Sequence, residues 1–98
     1  MTKHCVITGG AGGMGQSTAR LAAGNGYAVS ILSLEEERAT GEALAQEICD
    51  RGGRAAFLAT DVAFEDSVVS AYAEAAEAFG RPSAAVHCAG IYVGSKIL

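Results

Sequence analysis

"TGGAGGMG", Thr8 to Gly15, is the most informative stretch of this 98-residue chain. The residues before it, "KHCVIT" (3–8), form a short apolar run that reads as a buried strand. After it the period changes, and Met14, Thr18, Leu21 and Ala22 are expected on one face of a helix. A glycine turn between a strand and a helix lets the backbone approach a pyrophosphate, whose charge then meets the helix N-terminus. Gly9 suits the tight turn, Gly13 keeps side chains out of the phosphate path, and Gly15 lets the helix lie close to a sheet. Met14 stands among them, so Gly9, Gly13, Met14 and Gly15 are the candidate phosphate-turn residues. A purely structural turn is the competing reading. A mononucleotide P-loop is disfavoured, because no Gly-Lys-Ser/Thr follows.

The rest of the chain repeats the same unit. Gly24 and Gly26 end the first helix, and "AVSILSL" (28–34) reads as a second strand apolar enough to be covered on both faces. "EEERATGEALAQEICDRGG" (35–53) reads as a second helix with an acidic start suited to the helix dipole. Leu44 and Ile48 share a face of it, and Gly41 inside it is expected to cost about 1 kcal/mol against Ala. "RAAFLAT" (54–60) is a third strand. Glu65 to Phe79 is a third helix with Val68, Tyr72, Ala75 and Phe79 as its buried stripe, closed by Gly80 and Pro82. "SAAVHCA" (83–89) is a fourth strand. Strands joined by helix-length segments pair in parallel with right-handed crossovers. The expected fold is a doubly wound parallel sheet in three α/β/α layers, strand order 3-2-1-4, with a switch point beside the first strand.

Composition narrows the function. Apolar residues make up 50% of the chain and the net charge is −4. The first value argues against disorder and the second, with no Lys/Arg cluster, against a nucleic-acid partner. No run reaches the roughly 18 apolar residues of a membrane helix, and the N-terminus lacks a signal-peptide pattern. The odd, scattered Cys5, Cys49 and Cys88 point to a reduced intracellular setting, the cytoplasm. Cys5 and Cys88 read as inert core thiols, and no residues show metal-ligand spacing.

Ligands of open α/β sheets bind at the carboxyl ends of the strands. At the end of the second strand an acid would read a free ribose 2′-hydroxyl, but that position falls on Ser33, with Leu34 beside it. Glu35 is close yet starts the helix, and Arg38 lies one turn further, able to swing back. Asp61 and Val62 follow the third strand. Asp61 has two readings, a contact to an adenine amino group or a backbone amide, and a cap for the next helix; Val62 would cover the ring. His87, alone in a strand, reads as a packed neutral imidazole rather than a base or ligand.

"TGGAGGMG" (8–15), "DV" (61–62) and "HCAG" (87–90), with the spacing between them, resemble the first half of the short-chain dehydrogenase/reductase family over essentially the whole chain. The resemblance implies a Rossmann-type domain, incomplete at about four strands and three helices. It also implies a cofactor, NAD or NADP. The complete protein would be an oxidoreductase moving a hydride between the nicotinamide and a carbonyl or alcohol of a small-molecule substrate, usually as a homo-oligomer. The family's glycine motif carries over to Thr8, Gly9, Gly13 and Gly15, and its adenine-side pair to Asp61 and Val62. Its Asn-Asn-Ala-Gly motif falls on His87, Cys88, Ala89 and Gly90, with both asparagines replaced. Cys88 lacks an amide's paired donor and acceptor, although the backbone of Cys88, Ala89 and Gly90 can still line the cofactor site.

The family's catalytic pair is a Tyr and a Lys four apart on a helix. "YVGSK" has that outline in Tyr92 and Lys96, but only one residue separates it from Gly90, and no serine-bearing strand precedes it. An ordinary loop after the fourth strand and an internal deletion are the two explanations. Both predict little turnover from these residues, so no catalytic residue is assigned. A non-catalytic dinucleotide-binding or regulatory module is the alternative function.

Overall fold

The computed structural model describes residues 3–9, 13–61 and 63–87. Strand β1 (Lys3–Thr8) leads to helix α1 (Gly13–Gly24), β2 (Tyr27–Ser33), a 3₁₀ turn (Glu35–Glu37) and α2 (Arg38–Asp50). Then follow β3 (Ala55–Ala59), α3 (Glu65–Phe79) and β4 (Ala84–His87). All neighbouring strands are parallel, in the order β3-β2-β1-β4. Thr8 pairs with Leu32 on one side and His87 on the other, so β1 is the central strand. The chain walks from β1 to β2 to β3, then returns to the far side of β1. This reversal is the switch point expected from the sequence.

Alternate residues of each strand face opposite sides of the sheet. On one side Cys5, Ile7, Val29 and Ile31 pack against Ala19 of α1 and Leu44, Ala45 and Ile48 of α2. On the other, Val6 and Leu32 pack against Ala71 of α3, with Leu58 and Tyr72 at the margin. The right-handed crossover rule explains the split: moving one way along the sheet puts α1 and α2 on one face, and moving back puts α3 on the other.

Several local expectations are corrected. The buried face of α1 is Gly15 and Ala19, while Met14 and Leu21 are 71% and 69% exposed. The two small residues are four apart and let the helix sit close to the strands, which the larger pair would prevent. The second helix does not begin at Glu35: the N–H of Glu37 bonds to the carbonyl of Leu34 and closes a tighter turn first. Gly41 is no weak point. It is buried, and a Cβ there would collide with Cδ1 of Phe57, so the glycine is the close-approach site of α2 on β3. The buried stripe of α3 centres on Ala71 and Ala75, with Val68, Tyr72 and Phe79 half-buried.

His4 was not singled out in the sequence, yet it is fully buried in β1. Its Nδ1 lies 2.8 Å from the Gly80 carbonyl and its Nε2 2.7 Å from Ser30 Oγ. A carbonyl only accepts, so Nδ1 carries a proton and donates to it, while Nε2 hydrogen-bonds the serine hydroxyl. The ring of Phe79 meets it edge-on at 5.4 Å. One imidazole thereby ties the end of α3 to both interior strands.

Candidate functional site

The carboxyl ends of β3, β2 and β1 stand side by side in that order, and each carries one candidate group. After β1, Gly9 adopts φ 73°, a left-handed conformation that glycine reaches without strain. Its N–H donates to the Leu32 carbonyl at 2.7 Å, extending the ladder by one bond before the chain leaves the sheet. Gly13 opens α1, and a Cβ there would meet no atom of the described residues within 4 Å. The first turn of the helix holds no acidic residue to oppose an anion at its N-terminus. Gly15 is buried and Met14 points to solvent.

At the end of β2, Ser33 is buried and its hydroxyl donates to a carboxylate oxygen of Glu37. Glu37 was not identified from the sequence, although serine and glutamate four apart across a tight turn is the signal that could have found it. Arg38 does not swing back toward this point. Its guanidinium takes both oxygens of Glu35, at 2.7 and 3.0 Å, and one of Glu42, at 2.8 Å. It also lies 5.2 Å from the Phe57 ring centre. These hydrogen bonds raise the Arg38 pKa further above its ordinary value, and the bond to Arg38 lowers that of Glu35.

At the end of β3, the N–H of Thr60 donates to the Ser33 carbonyl at 2.7 Å and clasps the two strand ends together. Asp61 accepts the N–H of Ala63 at 2.9 Å, and its own N–H donates to Ser67 Oγ at 2.9 Å. The carboxylate thus takes a backbone amide in the loop before α3 and does not cap the helix, whose N-cap is Phe64 with no side-chain hydrogen bond. Beside it lies a depression of about 250 Å³ lined by Leu34, Glu35, Glu36, Ala59, Thr60, Asp61 and Ser67. It is open, and Leu34 contributes an apolar surface at 40% exposure. The readings of Val62, the His87 side chain, Cys88, Ala89, Gly90, Tyr92 and Lys96 lie outside the described residues.

The structure therefore brings Gly9, Gly13, Ser33 and Asp61 to one edge of the sheet, with Glu37 added and Arg38 held away. Among the described residues no group of three or more His, Cys, Asp or Glu side chains is placed to hold a metal ion. None of their helices is long and apolar enough to cross a membrane.

Comparison with known proteins agrees with this arrangement. A sequence profile of the family described as short chain dehydrogenase matches residues 3–98. The human 3-hydroxyacyl-CoA dehydrogenase type-2 is 43% identical over 91 residues, which are 93% of this chain and 33% of that protein. A 3beta-hydroxysteroid dehydrogenase of Mediterraneibacter gnavus is 35% identical over 94 residues, 96% of this chain and 33% of that protein. The chain thus spans about a third of the length of these curated relatives. Among solved structures, a blue fluorescent protein from a metagenomic library, in complex with NADPH, superposes with a TM-score of 0.81 at 26% identity. That match covers 85% of this chain and 34% of the other.

Proposed function

Since the chain belongs to the short-chain dehydrogenase family, we propose that it forms the dinucleotide-binding part of an NAD(P)-dependent oxidoreductase acting on an alcohol or carbonyl group. The observation that carries the proposal is the left-handed Gly9 after β1 and the N-terminus of α1 at Gly13, both at the switch point of the sheet. The site fits a pyrophosphate: a helix N-terminus and its dipole, with no acidic residue in the first turn. When bound, the nicotinamide supplies or takes up the hydride. The chain's own residues hold the other half of the molecule. Gly9, Gly13 and Gly15 admit the pyrophosphate to the head of α1, with Met14 beside it. Ser33 stands at the ribose and Asp61 beside the adenine depression, with Val62, Cys88, Ala89 and Gly90 assigned to the same site by the family motif.

The relatives support the substrate class, since both are named as dehydrogenases of hydroxyl-bearing compounds. We extend the reading to a cytoplasmic protein with a small-molecule substrate and a homo-oligomeric state; the exposed Cys49 thiol, in no disulfide, is consistent with the first of these. Calorimetric titration with NADH and NADPH tests the binding step. Saturable binding is expected, and Gly13→Val should reduce it below detection, because a branched side chain would fill the phosphate path. That variant should stay folded, since no atom of the described residues lies within 4 Å of a Cβ at this position. Undiminished affinity in the folded variant would refute the assignment of the turn. Binding by a protein that turns over no alcohol or carbonyl would identify the alternative, a non-catalytic dinucleotide-binding module.

A further inference from the structure

We infer that Glu37, anchored by the Ser33 hydroxyl, is the residue that reads the adenosine ribose and makes this chain select NAD over NADP. The inference rests on the dinucleotide reading above and goes beyond it by choosing the cofactor and naming the group that chooses. A dinucleotide lying across this edge brings its adenosine ribose to the end of β2, where a carboxylate on the chain would accept a bond from the 2′-hydroxyl. Position 33, where that acid would stand, is serine. The serine is buried at the end of the strand and donates its proton to Glu37. A carboxylate therefore occupies the space just past the Cβ of residue 33, close to where an aspartate at 33 would carry its own.

The neighbouring charges single out Glu37. Glu35 is committed through both oxygens to Arg38. Glu36 lines the same depression but is exposed, whereas Glu37 is half-buried and fixed to the strand end. Among the described residues the nearby cation that would hold a 2′-phosphate, Arg38, is shared between Glu35 and Glu42 and lies near Phe57. A 2′-phosphate would therefore bring its negative charge against a fixed carboxylate with no cation turned toward it. A 2′-hydroxyl would donate a charge-assisted hydrogen bond to the same group.

The test uses ADP-ribose and its 2′-phosphorylated form, probes that need only the adenosine and pyrophosphate subsites and no catalysis. Calorimetry on the parent chain should show ADP-ribose binding at least about tenfold tighter, the scale of one hydrogen bond to a charged group. Glu37→Gln, which keeps size and removes charge, should bring the ratio to about threefold or less, with the far-UV circular dichroism of the parent. Ser33→Ala frees the carboxylate without discharging it, so ADP-ribose should weaken by about fivefold through the lost anchor. A parent chain that prefers the 2′-phosphate overturns the inference while leaving the dinucleotide reading intact. A preference unchanged in a folded Glu37→Gln variant does the same. Failure of both probes to bind the parent would overturn the dinucleotide reading itself.

Discussion

The two faces of the sheet are built differently. Under α1 and α2 the core is continuous, drawing on β1, β2 and both helices, and it closes through small residues: Gly15 and Ala19 on α1, Gly41 over Phe57, and Ala45 on α2. Under α3 the described core cluster is smaller, Val6, Leu32 and Ala71, with Ala75 also buried on the helix. Val69 and Phe64 at that helix are 60% and 63% exposed. What holds α3 is largely polar: the His4 ring between Gly80 and Ser30, and the Asp61 turn at its start. α3 also meets the sheet through small residues, Ala71 and Ala75, and directional bonds supplement that contact.

This contrast is open to attack at four points. The largest effect is expected from Ile31→Ala, which opens a hole in the continuous face and should cost about 4 kcal/mol in denaturant unfolding. Val6→Ala on the α3 face should cost only about 2 kcal/mol. Equal losses from the two would show that the faces are packed alike. Ser30→Ala comes next, at about 2 kcal/mol, because it leaves the buried Nε2 of His4 without its partner. A hydrogen-exchange experiment should find the added opening concentrated in α3 rather than in α1.

Gly41→Ala sharpens the comparison from the other side. At an ordinary helix position this change would stabilise. Here the methyl meets the Phe57 ring, so a loss of about 1 kcal/mol is expected, read as a lower urea midpoint. Gly41→Ala combined with Phe57→Leu should recover part of it. The smallest effect belongs to the Arg20–Glu47 pair that bridges α1 and α2 at 2.8 Å on the surface. The hydrogen bond to Arg20 holds the Glu47 carboxyl below its usual range. A depressed carboxyl contributes stability above its ordinary pKa and loses it as pH falls through the lowered value. Glu47→Gln should therefore lower the Tm slightly at neutral pH and not at all in acid. The pair is solvent-exposed, so the shift should be small and should shrink with added salt.

Particular residues show how far the sequence could be read. The third helix was expected at Glu65 to Phe79, and those are its bounds. The glycine turn falls where the change of period placed it, between β1 and α1. The errors cluster where one element meets another. Met14 and Leu21 are apolar and helically spaced, yet they face outward because the sheet accepts only the small Gly15 and Ala19 at close range. The opening of the second helix was read as continuous, and the 3₁₀ turn that brings Glu37 back to Ser33 went unseen. Arg38 was open to either use until Glu35, Glu42 and Phe57 surrounded it.

By itself, then, the order of residues determined the kind and succession of elements, their parallel pairing and the strand order β3-β2-β1-β4. These follow from apolar period, glycine punctuation and the length of each connection, all properties of neighbours along the chain. The tertiary structure alone decided which face of α1 is buried and why position 41 is glycine. It also decided how His4 is satisfied and which carboxylate stands at the end of β2. Most of these depend on partners far apart in sequence, as His4 and Gly80 are at 76 residues. For Glu37 the span is short, and its direction is set by the 3₁₀ turn that follows β2 and by the Ser33 hydroxyl. A buried polar group must find its partner, and a close contact its small residue, only after the elements have docked.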